Sequence, residues 1–277
     1  MASLPDPNPL RDHEVDLDVL RVLAEQAASS TAALLVEGMT RARTSVEAKS
    51  TPTDLVTEMD RQAEEHLAGT LLGARPDDGL LGEEGHDTTG TSGVRWIVDP
   101  LDGTTNYLYG HPGFAVSVAA ELHGVAVAAA VADPMHGDVF TAAAGRGATR
   151  NGEPLQRSDP PPLGHLLVAT GFGYAPERRA QQAAVLTTVL PQVRDIRRMG
   201  AAAVDLCSVA LGRVDAYYER GLAHWDRAAG ALIAAEAGCR VGDLRGGDAS
   251  SGFLLAAPSE RFEQLAELLR AADADAL

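Results

Sequence analysis

Trp96-Ile97-Val98-Asp99-Pro100-Leu101-Asp102-Gly103-Thr104-Thr105-Asn106 is the stretch on which the reading of the whole chain turns. Three bulky apolar residues predict a buried strand, which stops in two aspartates three positions apart. Pro100 withdraws a backbone donor and ends the ladder. Gly103 permits close backbone approach to a ligand. A strand end is rigid, so carboxylates held there suit a hard cation. If a helical turn opens at Thr104, its free N–H groups favour an anion beside that cation. An EF-hand loop would need acids at positions 1, 3 and 5 and glutamate at 12. Counted from Asp99, the second acid falls at position 4 and position 12 is Gly110, so that reading fails. An Asx-rich turn between two strands stays open for this segment taken alone.

Two further acidic segments lie outward from it. Gly82-Glu83-Glu84-Gly85 follows the short apolar run Leu80-Leu81, which offers carboxylates at a second strand end. His224-Trp225-Asp226-Arg227-Ala228-Ala229-Gly230 sets an aspartate at the start of an apolar helix, where capping alone would account for it.

Periodicity predicts helices over 16–37 and 59–72, then strands at 80–81, 96–98, 114–122 and 125–132, with His123-Gly124 turning a hairpin. Residues 138–144 and the Asn151-Gly152 turn extend an antiparallel sheet. Beyond the proline-rich residues 159–162 the pattern alternates: strands at 166–170, 193–197 and 214–218, helices at 177–190, 201–211 and 225–237. Ser259 is the expected N-cap of a last helix. The fold class is therefore α/β, with an α+β half over 13–155 and an α/β half over 156–277, after a disordered lead-in at 1–12.

A formal net charge of −16 argues against nucleic acid as a partner, because phosphate backbones need lysine and arginine. It does not exclude a phosphorylated small molecule, because bound cations invert the local charge. The longest apolar stretches, such as 125–132, are too short to cross a membrane. The opening residues lack the pattern of a signal peptide, so a cytoplasmic protein is expected. Cys207 and Cys239 show no CxxC spacing and read as buried thiols. No GxSxG elbow or HExxH motif is present. Gly171-Phe172-Gly173 lacks the third glycine of a dinucleotide fingerprint.

In order along the chain, these segments resemble the inositol monophosphatase family. Its two signatures match residues 96–106 and the run Trp225-Asp226, Ala228-Ala229-Gly230, Glu236-Ala237-Gly238. Its N-terminal motif matches 49–60, including Lys49, the sole lysine of the chain. Further matches are Gly82-Glu83-Glu84-Gly85, Arg197-Arg198-Met199-Gly200-Ala201-Ala202-Ala203 and Asp215 to Glu219.

The resemblance implies a layered αβαβα sandwich and a lithium-sensitive homodimer. It implies two to three Mg2+ ions held by Glu83, Asp99, the carbonyl of Leu101, Asp102 and Asp226. Like charges about 4 Å apart repel by about 4 kcal/mol at an effective dielectric near 20, so such a cluster calls for cations. Thr104 and Asp60, with Glu83, would activate water for direct in-line attack on a phosphomonoester. Gly103, Thr104 and Thr105 would hold the phosphate; Asp102, Ala202, Glu219 and Asp226 would contact the rest of the substrate. The implied substrate is myo-inositol monophosphate or a similar sugar phosphate. Alternatives within related families are fructose 1,6-bisphosphate, histidinol phosphate and 3′-phosphoadenosine 5′-phosphate, and outside catalysis an inactive phosphate-binding relative. Ala201 departs from the family's usual serine or threonine, which puts strict inositol preference in doubt.

Overall fold

The computed structural model describes residues 15–39, 46–48, 55–156 and 159–276. The lead-in expected at 1–12 and the Lys49 to Asp54 part of the N-terminal motif lie outside the described residues.

The strand through Trp96 is β5 (Val94–Asp102), near one end of an eight-stranded sheet. Beside it run β3 (Gly79–Gly82), parallel to β5, and the short edge strand β4 (Asp87–Thr88). On its other side the sheet continues antiparallel through β6 (Ala115–Leu122), β7 (Val125–Asp133), β8 (Asp138–Ala143), β9 (Ala148–Arg150) and β10 (Glu153–Pro154). β1 (Val46–Ala48) and β2 (Leu55–Thr57) make a separate antiparallel pair. A second sheet has the order β12 (Asp195–Arg197), β11 (Leu167–Thr170), β13 (Ala216–Glu219), β15 (Leu254–Pro258), β14 (Cys239–Gly242). Its first three strands are parallel and its last two pairings antiparallel.

The period of two explains how the large sheet serves two cores. Trp96 and Val98 join Val116, Val118, Ala128 and Ala130 beneath α1 (Leu17–Gly38) and α2 (Glu58–Ala74). Ile97, Ala115, Ala119 and Ala129 face α5 (Ala202–Leu211) and α6 (His224–Glu236) on the other side. The second sheet covers the far side of α5 and α6. Its outer face carries α4 (Pro176–Val189) and α7 (Ser259–Ala271). The layers thus read helix, sheet, helix, sheet, helix. β6 and β7 are rich in alanine, which allows close helix approach on both faces.

By length and composition α1 could cross a membrane, with mean hydropathy 1.3, contrary to the reading that no apolar stretch is long enough. Its Leu20, Leu23, Ala24, Ala27, Ala28 and Leu35 instead pack into the core beneath the large sheet. The α7 N-cap is Pro258 rather than Ser259, which is the helix's first residue. β14 and β15 were not expected from local pattern. The hairpins turn as expected: His123 and Gly124 sit at φ 52° and 80°, Asn151 and Gly152 at 51° and 82°. Both cysteines are buried and reduced.

Candidate active site at the meeting of strand ends and helix starts

β5 ends in a register shift against β6 between Asp99 and Asp102. Such an irregularity re-aims side chains at a strand end, and the N–H of Leu101 folds back onto Asp99 Oδ1 at 3.0 Å. Gly103 then adopts φ 89°, and a short helix, α3 (Thr104–Tyr109), starts at the next residue. A Cβ at Gly103 would stand 2.8 Å from the Gly113 carbonyl, so both conformation and space require glycine. Asn106 secures the turn by donating to the carbonyls of Gly113 (2.7 Å) and Met199 (2.8 Å).

A cleft of about 470 Å³ opens here. Glu83 enters it from the turn after β3, Asp99 and Asp102 from β5, Thr104 from α3, Asp226 from the first turn of α6 and Glu219 from the end of β13. The structure therefore brings together residues from four separated segments. Gly103, Leu101, Ala201 and Ala202 complete the same lining; Thr105 follows Thr104 in the first turn of α3.

The electrostatics are those of crowded carboxyls. Burial, then the neighbouring charges of Glu83, Asp102 and Asp226, push Asp99 well above the usual carboxylate range. Asp99 and Glu83 also share a side-chain hydrogen bond. Burial and the charge of Asp226 raise Asp102, opposed by the N–H groups of Ala203 and Ala202. Those N–H groups donate to Asp102 at 2.7 and 3.3 Å, so Asp102 caps α5 across the chain. The N-cap residue of α5 itself is Ala201, which has no side-chain oxygen to offer. Asp226 accepts from the N–H of Ala223 at 2.7 Å, so it caps α6 and also lines the cleft.

Thr104 Oγ1 donates to Asp60 Oδ1 at 3.0 Å, and lies 3.2 Å from the Leu101 carbonyl. Asp60 is buried, on the first turn of α2. Glu219 accepts from the Tyr217 hydroxyl at 2.5 Å and is pushed up to about 7, chiefly by burial. Arg178 and Arg198 also line the cleft, the latter over the Phe172 ring.

Among the described residues no three acidic, histidine or cysteine side chains form a ready-made metal cage. The carboxylates line an open wall instead. Their chemistry still fits magnesium, which takes oxygen ligands and keeps several waters. Raised, mutually repelling carboxyls are what a divalent cation would neutralise.

Two residues were not singled out in the sequence. Asp205 lines the cleft floor with Oδ1 unpartnered among the described residues, and burial raises it well above the usual range. Glu64 is buried on α2 beneath the Glu83 turn. Its signal was present: Asp60 and Glu64 stand i and i+4 on the buried stripe of Ala63, Leu67 and Leu71.

The sequence profile of the inositol monophosphatase family matches residues 16–274. An inositol-1-monophosphatase SuhB of Mycobacterium tuberculosis is 46% identical, over 91% of this chain and 93% of that one. A Nus factor SuhB of Xylella fastidiosa is 39% identical, over 81% and 82%. The solved structure of extragenic suppressor protein suhB from Bartonella henselae superposes with a TM-score of 0.86 at 37% identity, over 91% and 98%.

Proposed function

The chain belongs to the inositol monophosphatase family, and from that premise we propose a magnesium-dependent phosphomonoesterase acting on myo-inositol monophosphate or similar small sugar phosphates. The observation that carries this reading is the set Glu83, Asp99, Asp102 and Asp226, drawn from three segments onto one cleft wall, with Asp99 and Asp102 raised by burial and by their neighbours' charges. We assign these carboxylates, with the Leu101 carbonyl, to two or three Mg2+ ions. Bound magnesium would supply the charge that acidifies an attacking water and stabilises the leaving alkoxide.

The chain's own groups account for the rest. Asp60 holds the Thr104 hydroxyl at 3.0 Å, a pair able to orient a water and take its proton. Backbone N–H groups of Gly103, Thr104 and Thr105, at the start of α3, would hold the phosphate oxygens. Glu219, Asp102 and the Ala202 backbone address the alcohol, in the half spanning 156–277 and its junction with 13–155. The proposed reaction, carried over from the family resemblance, is direct in-line attack of a metal-activated water on phosphorus. The protein is proposed to work in the cytoplasm as a homodimer.

The test is phosphate release from a panel of phosphomonoesters, with magnesium and with chelator. Inositol 1-phosphate, fructose 1,6-bisphosphate, histidinol phosphate and 3′-phosphoadenosine 5′-phosphate separate the substrate readings. No metal-dependent release from any of them would overturn the proposal. A relative bears the name Nus factor SuhB; against an inactive phosphate-binding role stands the presence here of all four cleft carboxylates.

A further inference from the structure

We propose that Glu64 is a positioning residue that clamps the turn carrying Glu83, and so sets the affinity of the cleft for magnesium. The inference rests on the metal-dependent reading above. Glu64 lies on α2, one turn after Asp60, and is 2% exposed. It does not line the cleft. Its Oε2 accepts the N–H of Glu84 at 2.7 Å. Its Oε1 accepts the N–H of His86 at 3.0 Å and stands 3.0 Å from His86 Nδ1. These partners sit one and three positions beyond Glu83.

On the other side of Glu83, Gly82 rests directly on the same carboxylate. A Cβ there would come within 2.3 Å of Glu64 Oε2. The N–H of Gly82 donates to the His86 carbonyl at 2.8 Å and closes the turn. Glu83 is thus held from both flanks by one buried group anchored in a long helix. Only a carboxylate suits the place: each of its two oxygens accepts a backbone N–H, whereas an amide would turn its own N–H against one of them. Asp60 and Glu64 then act from the same helix, one toward Thr104 and the other toward the Glu83 turn.

Partners that orient a metal ligand change metal affinity by about 10–100-fold when removed. The experiment is calorimetric titration of magnesium into chelator-stripped full-length protein without substrate, with amide exchange at Glu84 and His86. For Glu64→Gln the dissociation constant should rise at least about tenfold, and kcat at saturating magnesium should return to within about threefold of wild type. Amide protection at Glu84 and His86 should fall in parallel. Should Glu64→Gln fail to fold, Gly82→Ala and His86→Ala disturb the same clamp from the other side. His86→Ala, which removes one contact of three, should weaken magnesium by about threefold, a part of the full effect. A magnesium affinity within about twofold of wild type in every folded variant would overturn the proposal. So would a loss confined to kcat at saturating metal. A wild-type protein that takes up no magnesium would overturn the phosphatase reading instead.

Discussion

Asp99 is buried and repelled by Glu83, Asp102 and Asp226, and its replacement should separate stability from catalysis. Asp99→Asn keeps the shape and removes a charge raised by Glu83, Asp102 and Asp226. Turnover with magnesium should fall at least about a hundredfold, the scale of losing a major electrostatic stabiliser. In chelator the variant should melt no lower than wild type, since a buried like charge is gone. Near-normal turnover would remove Asp99 from the metal site. Glu219 gives a pH test. Its native value is raised from 4.5 to about 7, so the native state binds more protons than the unfolded one between those limits. Stability therefore falls as pH rises through that window, and the cost is fully present above it. In chelator, the melting temperature of Glu219→Gln should decline less between pH 5 and 7.5 than that of wild type. Parallel curves would contradict the assignment. At this scale the acids beside glycine at strand ends were legible in the sequence. Asp205 was not, because it is one polar letter inside an ordinary helical pattern, and Glu64 shows only in its i,i+4 spacing from Asp60.

Ala201 belongs to the scale of the element. It stands at the N-cap of α5, and the cap is provided by Asp102 from β5. A hydroxyl there would face the N–H of Val204, since those of Ala202 and Ala203 already donate to Asp102. Ala201→Ser should therefore raise stability by about 0.5–1 kcal/mol, measured by denaturant unfolding. Substrate ratios in kcat/KM should move less than about threefold, less than a full hydrogen bond to substrate would give. A tenfold shift toward inositol 1-phosphate would show the new hydroxyl contacting substrate rather than capping the helix. Gly103→Ala should cost more than the about 1 kcal/mol of an ordinary glycine-to-alanine mismatch, because the Cβ would also press on the Gly113 carbonyl. Most helices and the hairpins were readable because their periods are local. β14 and β15 were not: the glycine- and aspartate-rich residues between them hide a pairing that only the assembled sheet supplies.

For the whole molecule, magnesium should act as a stabiliser whose strength grows with pH. The cation needs the carboxylates ionised, while the metal-free fold favours them protonated. At magnesium about a hundred times its dissociation constant, binding adds about 2.7 kcal/mol, or about 5–10 °C in a chain of this size. The rise in melting temperature over chelated protein should be larger at pH 8 than at pH 6. A magnesium-independent melting temperature, with occupancy shown separately to change, would count against the site.

The bond from the Ala203 N–H to Asp102 spans 101 positions of sequence. Closing so long a loop is slow relative to forming local hairpins and helices. Most of the helical signal and the meander of β5 to β8 can therefore form while the cleft is still open. On dilution from denaturant, recovery of far-ultraviolet dichroism should precede recovery of phosphate release. The interval between them measures the docking of one half of the chain onto the other. A nick in the connection at 156–163 would stretch that interval and make it depend on protein concentration.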